Sequence, residues 1–320
     1  MDLLTQRMMM GAGGGAGGGA GGGEPGVNWT AQPGFTTAFG AGNTALAVRW
    51  TGSQFCAVGN FGKCATSPDG VTWTLQSSFN NPYSANALAW TGAQFCAVGS
   101  YGFCTTSPDG ITWTQRTGLA NIFGTRTARA IVWTGSQFCV IGDTSKCATS
   151  PDGITWTLQS SFEAAFFGNG GFDITWTGTQ FCAVGGLFRC ATSPDGITWT
   201  AQPNLRAVFA DTTTTALAIT WTGTQFCAAG SAGRCATSPD GVSWNVRTGL
   251  APNSVNEITW TGTQFCTVGA SGACFTSPDG ITWTAQPGLV VANGTNALNG
   301  LVWTGTKFCV VGVSGSCATS

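Results

Sequence analysis

The amino-acid sequence predicts an all-β protein, a seven-bladed β-propeller, from three observations. A stretch that reads FCAVGNFGKCATSPDGVTWT at residues 55–74 is one of seven near-copies along the chain. The first tryptophan of each copy recurs at intervals of 39 to 45 residues, the period of a four-stranded blade. The seventh copy stops at residues 317–320, before its second tryptophan, and the missing GVNWT stands at residues 26–30. A strand donated by the N-terminal part would therefore close the last blade and hide its edge.

Each copy contains four short strand patterns. The inner pair, LAVRW and QFCAV in the first copy, flanks a Thr-Gly turn whose glycine accepts the positive φ of a tight hairpin. The outer pair, KCATS and VTWT, is joined by Ser-Pro-Asp-Gly, the composition of a type I turn. We expect one domain over residues 24–320, with blades near 46–75, 86–115, 129–158, 172–201, 217–246, 256–285 and 299–320, the last completed by 26–30.

Residues 1–23 differ in composition from the repeats. The first ten, MDLLTQRMMM, lack the sustained apolar run of a secretion signal, and residues 11–23 consist of glycine and alanine. Segments of this kind form flexible tethers or thread gaps too narrow for a side chain. Both interpretations stay open. In the second, a partner holds an anchor made of Met1, Leu3, Leu4, Met8, Met9 and Met10.

Composition argues against several functional classes. Charged residues make up 8% of the chain, the net charge is −1 and histidine is absent. The 12 Lys and Arg are spread along the sequence and predict no basic face for nucleic acid. Without histidine the commonest metal ligand is missing, so we expect neither a metal nor another cofactor. No apolar run reaches the roughly 18 residues of a membrane span.

The repeated SPDGITW resembles the Asp-box of BNR-type propellers, Ser-x-Asp-x-Gly-x-Thr-Trp, shortened here by one residue. The match covers residues 24–320, and short repeats of this kind are also similar to propeller domains of phage virion proteins. In the Asp-box class the aspartate caps the turn between the third and fourth strands, and the tryptophan packs between blades. The resemblance implies turn caps at Asp69, Asp109, Asp152, Asp195, Asp240 and Asp279, with Pro25 in the seventh position.

Sialidases also carry Asp-boxes, but the resemblance implies only the scaffold, because Asp-boxes lie away from the sialidase active site. That chemistry needs an arginine triad and a Tyr–Glu nucleophile pair. The chain has three glutamates, Glu24, Glu163 and Glu257, and two tyrosines, Tyr83 and Tyr101. Because a fold does not carry a function with it, we expect no enzymatic activity.

Two cysteines, eight residues apart, flank the same hairpin in every copy. One register sets Cys56 opposite Cys64, at a Cα separation that a disulfide accepts; a longer register sets Cys64 opposite Val58 and makes the cysteines diagonal. The sequence leaves the register open. Neither position varies while its neighbours do, which favours disulfides within each hairpin over buried free thiols. The pairs are Cys56/Cys64, Cys96/Cys104, Cys139/Cys147, Cys182/Cys190, Cys227/Cys235, Cys266/Cys274 and Cys309/Cys317.

The segments that join one blade to the next differ in length and sequence, and such loops on a rigid frame often carry binding surfaces. Their aromatic residues either contact a partner or pack onto the ring. Residues three before each first tryptophan should approach the central channel, where most are small but Asp173 and Glu257 are acidic. The expected contact residues are Phe79, Tyr83, Phe123, Arg126, Arg129, Phe162, Phe166, Phe167, Arg206 and Phe209.

These observations predict a non-enzymatic phage virion structural protein in a tail, a fibre or the capsid decoration. Disulfides belong to oxidising surroundings, which a virion protein released by lysis meets without a secretion signal. The arm would bind other virion proteins, and the propeller would bind a host-surface glycan or protein. A homo-oligomer is compatible with this arrangement. Two alternatives stay open: a free-standing glycan-binding propeller, and an assembly factor for a membrane complex, with reduced cysteines.

Overall fold

The computed structural model describes residues 25–209 and 213–320, so the expected anchor and the glycine-rich arm lie outside the described residues. These residues form seven antiparallel sheets of four strands each, and the predicted fold class is confirmed. Within a blade the strands are named A to D from the central channel outwards. No helix among the described residues is long and apolar enough to cross a membrane.

The strands follow the chain blade by blade. Blade 1 contains β2 Ala45–Trp50, β3 Phe55–Gly59, β4 Cys64–Ser67 and β5 Thr74–Leu75. Blade 2 contains β6 Ala85–Trp90, β7 Phe95–Gly99, β8 Cys104–Ser107 and β9 Thr114–Arg116. Blade 3 contains β10 Ala128–Trp133, β11 Phe138–Gly142, β12 Cys147–Ser150 and β13 Thr157–Leu158. Blade 4 contains β14 Gly171–Trp176, β15 Phe181–Gly185, β16 Cys190–Ser193 and β17 Thr200–Ala201.

Blade 5 contains β18 Ala216–Trp221, β19 Phe226–Gly230, β20 Cys235–Ser238 and β21 Asn245–Arg247. Blade 6 contains β22 Val255–Trp260, β23 Phe265–Gly269, β24 Cys274–Ser277 and β25 Thr284–Ala285. Blade 7 contains β26 Leu298–Trp303, β27 Phe308–Gly312 and β28 Cys317–Thr319, with β1 Thr30–Ala31 as strand D. The α-helices of the described residues are α1 Pro33–Phe39, α2 Ala120–Phe123, α3 Ser161–Phe166, α4 Asn204–Phe209 and α5 Gly288–Asn293, all in loops between blades.

The strand β1 closes the ring, as the sequence predicts. Thr30 pairs with Thr319, which makes β1 the outer strand of the last blade. Trp29, just before it, is 9% exposed, and its ring centroid lies 6.1 Å from that of Phe308. Without β1 the edge of β28 would be open to pairing with another chain.

Neighbouring sheets pack through aromatic side chains that recur in every blade. In blade 1 the fully buried Phe55 ring lies 4.4 Å from the Trp50 ring and 6.0 Å from the Trp73 ring. Tilted pairs of this kind add about 0.5–1.5 kcal/mol beyond the burial of their area. Phe55 and Trp73 form one buried cluster with Val302, Cys309 and Val311 of blade 7, so the hydrophobic core lies between the sheets.

A repeated hydrogen bond links each blade to the next at the turns. Gln94 Nε2, beside the start of β7, donates to the Asp152 carbonyl of blade 3 at 3.0 Å. Lys307 takes the place of glutamine in blade 7 and donates to the Asp69 carbonyl of blade 1. The bond thus runs round the whole ring, with the other donors Gln54, Gln137, Gln180, Gln225 and Gln264.

The six turn aspartates lie in the turns between strands C and D. Asp69 Oδ1 accepts the backbone N–H of Val71 at 2.8 Å and of Thr72 at 2.7 Å, and the Ser67 hydroxyl donates to it at 3.0 Å. The same bonds form at Asp109, Asp152, Asp195, Asp240 and Asp279. Against the opposing effect of burial, these N–H groups lower the pKa of all six carboxyls.

The predicted disulfides are wrong. Strands B and C adopt the longer register, which sets Cys64 opposite Val58 and Cys56 opposite Thr66. The Sγ atoms of a pair therefore lie 3.5 to 4.0 Å apart across a diagonal, against about 2.05 Å in a disulfide. All 14 thiols are free and buried: Cys56, Cys64, Cys96, Cys104, Cys139, Cys147, Cys182, Cys190, Cys227, Cys235, Cys266, Cys274, Cys309 and Cys317.

Candidate functional site

The two ends of the ring carry different parts of the chain. One end, the turn face, carries the Thr-Gly turns between strands A and B and the aspartate turns between strands C and D. The other end, the loop face, carries the loops from strand D to the next blade and the loops between strands B and C. Repeated residues build the turn face, whereas the loop face differs from blade to blade. The candidate site is the loop face with the channel that opens on it.

Half of the predicted contact residues do not lie on this surface. Phe79, Phe123, Phe162, Phe166 and Phe209 are between 0% and 7% exposed. The loops fold inwards, and their rings fill the gaps between blades: the Phe79 ring meets Trp113 edge-on at 4.8 Å, and Phe162 meets Trp199 in the same way. The prediction of exposed rings is therefore wrong for these five residues.

A periodic signal for this packing is present in the sequence and was missed. A large apolar residue stands six positions after the second tryptophan of every copy. A position that every repeat keeps apolar belongs to the scaffold rather than to a variable binding surface. Six of the seven residues are buried and Leu250 is partly buried; the set is Phe35, Phe79, Leu119, Phe162, Leu205, Leu250 and Leu289.

The other predicted contact residues are accessible. Tyr83 and Phe167 are 41% and 64% exposed, Arg126 is exposed, and Arg129 and Arg206 are half-buried. Two aromatic residues that the sequence interpretation left out join them from the loops between strands B and C. Phe61 is 68% exposed, and Tyr101 packs against Tyr83 with ring centroids 4.8 Å apart.

A β-bulge in every inner strand shapes the mouth of the channel. In blade 1 Ala45 pairs with Gly59 and Ala47 with Val58, so Leu46 has no partner in the ladder. The same shift occurs in all seven blades. The residues at the bulge form a ring around the channel: Leu46, Asn86, Arg129, Phe172, Leu217, Asn256 and Asn299.

The asparagines of this bulge ring fasten adjacent blades. Asn256 Nδ2 donates to the Leu298 carbonyl at 2.9 Å, and Asn299 Nδ2 donates to the Ala45 carbonyl at 3.0 Å. Asn86 makes the equivalent bond to blade 3 at 3.2 Å. Each bond joins the mouth of one blade to the first residue of the next inner strand, which holds the rim of the channel in a fixed shape.

One layer deeper, Asp173 and Glu257 line the channel, as the sequence predicts. Asp173 Oδ1 accepts the N–H of Ile174 at 2.8 Å, and its Oδ2 accepts the N–H of Ile219 in the next blade at 2.7 Å. Glu257 Oε1 accepts the N–H of Ile258 at 3.3 Å. Both carboxyls therefore bind the backbone of the inner strands.

Neighbouring inner strands approach so closely at this layer that most residues here are small. A Cβ added to Gly300 would lie 3.1 Å from the Val48 nitrogen of blade 1. The channel has a volume of about 470 Å³, inside the range of roughly 300–1,000 Å³ that ligand pockets occupy.

The channel interior carries little net charge at neutral pH. Burial raises the pKa of Asp173 to about 6, against the lowering effects of its backbone partners and of the Arg49 guanidinium. Burial, and then the Asp173 carboxylate, raise the pKa of Glu257 to about 8, although Arg49 opposes this. Glu257 therefore keeps its proton at pH 7, and the Arg49 guanidinium balances the charge of the Asp173 carboxylate.

Basic side chains gather on one side of the loop face. The chain brings together loops that are more than 100 residues apart in sequence. We name this set the basic arc; it spans blades 3 to 5 and consists of Arg126, Arg129, Lys146, Arg189, Arg206 and Arg234. The acids described in the same region are Asp143, which pairs with Arg129, and Glu163.

Aromatic rings support the guanidinium groups of the arc. The Arg189 Cζ lies 4.4 Å over the ring of the exposed Phe167, and the Arg129 Cζ lies 4.5 Å over the ring of Phe172. Burial, and then the neighbouring Arg206, lower the pKa of Arg189. Arg189 Nε is buried and has no hydrogen-bond partner among the described residues. Stacked guanidinium groups of this kind present their N–H edges to carboxylates.

The described residues contain no group of three or more Cys, Asp or Glu side chains that could hold a metal ion. The site presents guanidinium and amide groups, with exposed aromatic rings, around the mouth of the channel.

No protein-family model matches the chain, and no curated protein sequence matches it. Solved structures resemble it at low sequence identity. YCF48 bound to D1 peptide superposes with a TM-score of 0.70 at 17% identity, over 91% of this chain and 96% of that one. YCF48 from Cyanidioschyzon merolae gives 0.69 at 14% identity, over 91% and 98%.

The WD40 β-propeller domain of Doa1 gives a TM-score of 0.67 at 8% identity, over 87% of this chain and 92% of that domain. At these identities the likeness concerns the fold alone. The chain is thus a seven-bladed propeller of the same architecture as YCF48 and the WD40 domain.

Proposed function

We propose that this protein is a non-enzymatic binding protein whose loop face holds an acidic segment of a partner protein. The observation that carries the proposal is the basic arc beside the channel mouth. Charge-assisted bonds from guanidinium groups to carboxylates are about twice as strong as neutral ones, and the fork of arginine matches a carboxylate in two places. YCF48, which shares the architecture, has been solved with a D1 peptide. A ring of this kind therefore accommodates a peptide.

An extended segment suits the arc better than a small molecule does. The basic residues come from three consecutive blades, so their positive charge is spread along the rim rather than focused at one point. A partner must follow this curve to meet them all. Arg189 Nε is buried without a hydrogen-bond partner among the described residues, and a carboxylate of that segment would satisfy it.

A binding role is also compatible with the two carboxyls in the channel, because neither needs a catalytic step to explain its presence. Asp173 and Glu257 both accept backbone N–H groups of the inner strands, which gives them a structural task. We therefore propose that the protein is not an enzyme. Loss of a glycosidase turnover on Glu257→Gln would contradict this.

The test measures binding of a fluorescein-labelled poly-glutamate peptide by anisotropy, with a neutral Gly-Ser peptide of equal length as reference. The variant R126E/R206E reverses two charges of the arc, and the matched control R116E/R247E reverses two charges on the outer strands β9 and β21. We expect the arc variant to bind about tenfold more weakly, which is about 1.4 kcal/mol, and the control to bind like the wild type. Equal binding by all three proteins, or equal binding of both peptides, would overturn the proposal.

Two finer roles each have one supporting observation. The described chain enters the ring on the turn face, where Gln264 Nε2 donates to the Pro25 carbonyl at 2.9 Å. An anchor in residues 1–23 would thus leave the loop face pointing away from its attachment, as display on a virion requires. The free thiols favour instead the assembly factor for a membrane complex, because that alternative expects reduced cysteines.

Incorporation into purified particles separates these two roles. If the full chain is incorporated and a version that starts at Glu24 is not, the arm is an anchor and the virion role holds. If neither version is found in particles while the loop face binds the acidic probe, the virion role is wrong and the assembly role stands.

A further inference from the structure

Each of the six aspartate turns carries an exposed apolar side chain close to its carboxylate. After each cap aspartate and its glycine comes a β-branched residue whose side chain is 43% to 52% exposed. We name these residues and the six cap aspartates the turn ring; the β-branched members are Val71, Ile111, Ile154, Ile197, Val242 and Ile281. Surface apolar groups repeated at one position in six blades are unlike the scattered ones of an ordinary surface.

The two faces of the disc carry opposite charges. The cap aspartates place six carboxylates on the turn face. A positive charge opposes them there, on Lys307, which donates to the Asp69 carbonyl. The loop face carries the basic arc and Lys63 against Asp143 and Glu163 among the described residues. Asp211, in the loop 201–216, lies outside the described residues. If its charge is counted, the loop segments still carry an excess of positive charge.

We propose that the loop face of one copy binds the turn ring of a second copy, so that the propellers stack head to tail. This rests on the proposed function, because it names the acidic partner of the basic arc. The cap aspartates lie in turns at one end of the disc and the basic arc lies in loops at the other, so the two ends carry opposite charge.

Both surfaces also expose apolar side chains. The loop face exposes Phe61, Tyr101 and Phe167, each more than half exposed. In the stack these rings would meet the β-branched side chains of the turn ring, and interfaces favour such aromatic contacts at their centre. The charges alone would accelerate the association of two copies, whereas the apolar contacts would slow the dissociation of the stack.

The repeat makes the stack tolerant of rotation. The basic arc covers three blades, while aspartates recur in blades 1 to 6, so several rotations bring each blade of the arc over a carboxylate. Blade 7, where the chain enters at Pro25, is the sector without a cap aspartate, and the arc does not need it. Two loop faces, in contrast, would repel each other, which makes a face-to-face dimer unfavourable.

The first measurement is sedimentation velocity of the full chain at two ionic strengths. At about 10 mM salt, where the screening length is about 30 Å, we expect concentration-dependent growth beyond the dimer, because a head-to-tail contact leaves both outer faces open. At about 1 M salt we expect the apparent association constant to fall at least tenfold. A monomer under both conditions up to the highest soluble concentration would overturn the stack.

Mixing two variants tests the polarity of the contact. R126E/R206E damages the loop face only, and D109N/D152N/D195N/D240N removes charge from the turn ring while asparagine keeps the capping oxygen. Each variant alone should remain monomeric. Their mixture should form 1:1 dimers that do not grow, because one intact loop face meets one intact turn ring. Association of either variant alone at the wild-type level, or no dimer in the mixture, contradicts the stack.

The turn-ring variant also separates this inference from the proposed function. Its loop face is intact, so it should bind the poly-glutamate probe as a monomer. If it binds the probe while the wild type does not self-associate, stacking is wrong and the proposed function stands. If neither the probe nor a second copy binds, both are wrong. The control R116E/R247E should stack like the wild type.

Discussion

The two ends of the inner strand follow opposite rules of sequence. At the turn end every inner strand finishes in tryptophan, from Trp50 to Trp303, whose ring packs on the phenylalanine that begins strand B. Four residues earlier, at the loop end, the bulge ring holds leucine, asparagine, arginine or phenylalanine. A residue packed between blades must serve identical neighbours, whereas a bulge residue lines the mouth of the channel, and its type differs from blade to blade. The repeated aromatic packing therefore lies at one end of the inner strand, and sequence variation is concentrated at the other.

The strongest test of this comparison removes the closing strand. A chain that starts at Pro33 loses Trp29 and β1, whereas a chain that starts at Glu24 keeps both. Loss of a buried tryptophan alone costs about 3–5 kcal/mol, and the exposed edge of β28 adds to this. We expect the shorter chain to unfold at a much lower urea concentration, or to aggregate, while the version from Glu24 unfolds like the full chain. Equal unfolding midpoints would show that closure contributes nothing.

The architecture was predictable because the same pattern of four strands recurs in every copy of the repeat. The intervals between tryptophans fix the number of blades, and the truncated last copy together with GVNWT predicts that β1 pairs in blade 7. The register of the cysteine hairpins was not predictable. It depends on a non-glycine residue in the left-handed region, such as Phe61 at φ 50° or Tyr101 at φ 59°. A second left-handed residue follows it, which is glycine in five blades but Ser145 in blade 3 and Phe188 in blade 4. The residue types at the first of these positions do not predict a left-handed conformation.

The candidate site was less predictable for a different reason. The basic arc joins residues from Arg126 to Arg234, which meet only after three blades have stacked. Charge spread along a sequence says nothing about which end of a ring it reaches. The buried loop rings, in contrast, follow a fixed offset from the second tryptophan. An alignment of the seven copies with one another shows that offset from the sequence alone.

The next test concerns close backbone approach in the scaffold. A Cβ on Gly99, at the end of β7, would lie 1.9 Å from the Ser84 carbonyl oxygen. Backbone must move to admit it, and overpacking of this kind costs about 1–3 kcal/mol. We expect Gly99→Ala to lose about 3 kcal/mol of unfolding free energy in urea. Gly42→Ala, on the loop side with open space around the added methyl group, should stay within about 0.5 kcal/mol of the wild type. Similar losses at both positions would contradict the close approach.

The channel provides a test in which a substitution stabilises. Burial and Asp173 raise the pKa of Glu257 to about 8, so the folded protein holds a proton that the unfolded chain releases near pH 4.5. The folded state therefore loses stability as pH rises between these values. Glu257→Gln keeps the shape and removes the charge. We expect it to match the wild type at pH 4 and to exceed it by about 1 kcal/mol or more at pH 9 in urea unfolding.

An advantage of Glu257→Gln that is the same at both pH values would show that packing rather than charge is responsible. Glu163→Gln is the matched control, because that side chain is exposed in α3, and it should change nothing at either pH.

The smallest effect concerns the turn caps, and it separates repetition from function. Each cap aspartate accepts two backbone N–H groups, so replacement by alanine should cost about 1 kcal/mol, as at helix N-caps. Because the six turns have the same bonds, we expect Asp69→Ala, Asp152→Ala and Asp279→Ala to lose nearly equal stability. The pKa of each carboxyl is lowered in the folded state, so its contribution is present above the unfolded pKa of about 3.9 and disappears as pH falls below the folded value. Urea unfolding of the three variants at pH 7 and at pH 2.5 measures both features. Unequal losses among the three at pH 7 would mean that one of these turns does more than close its blade.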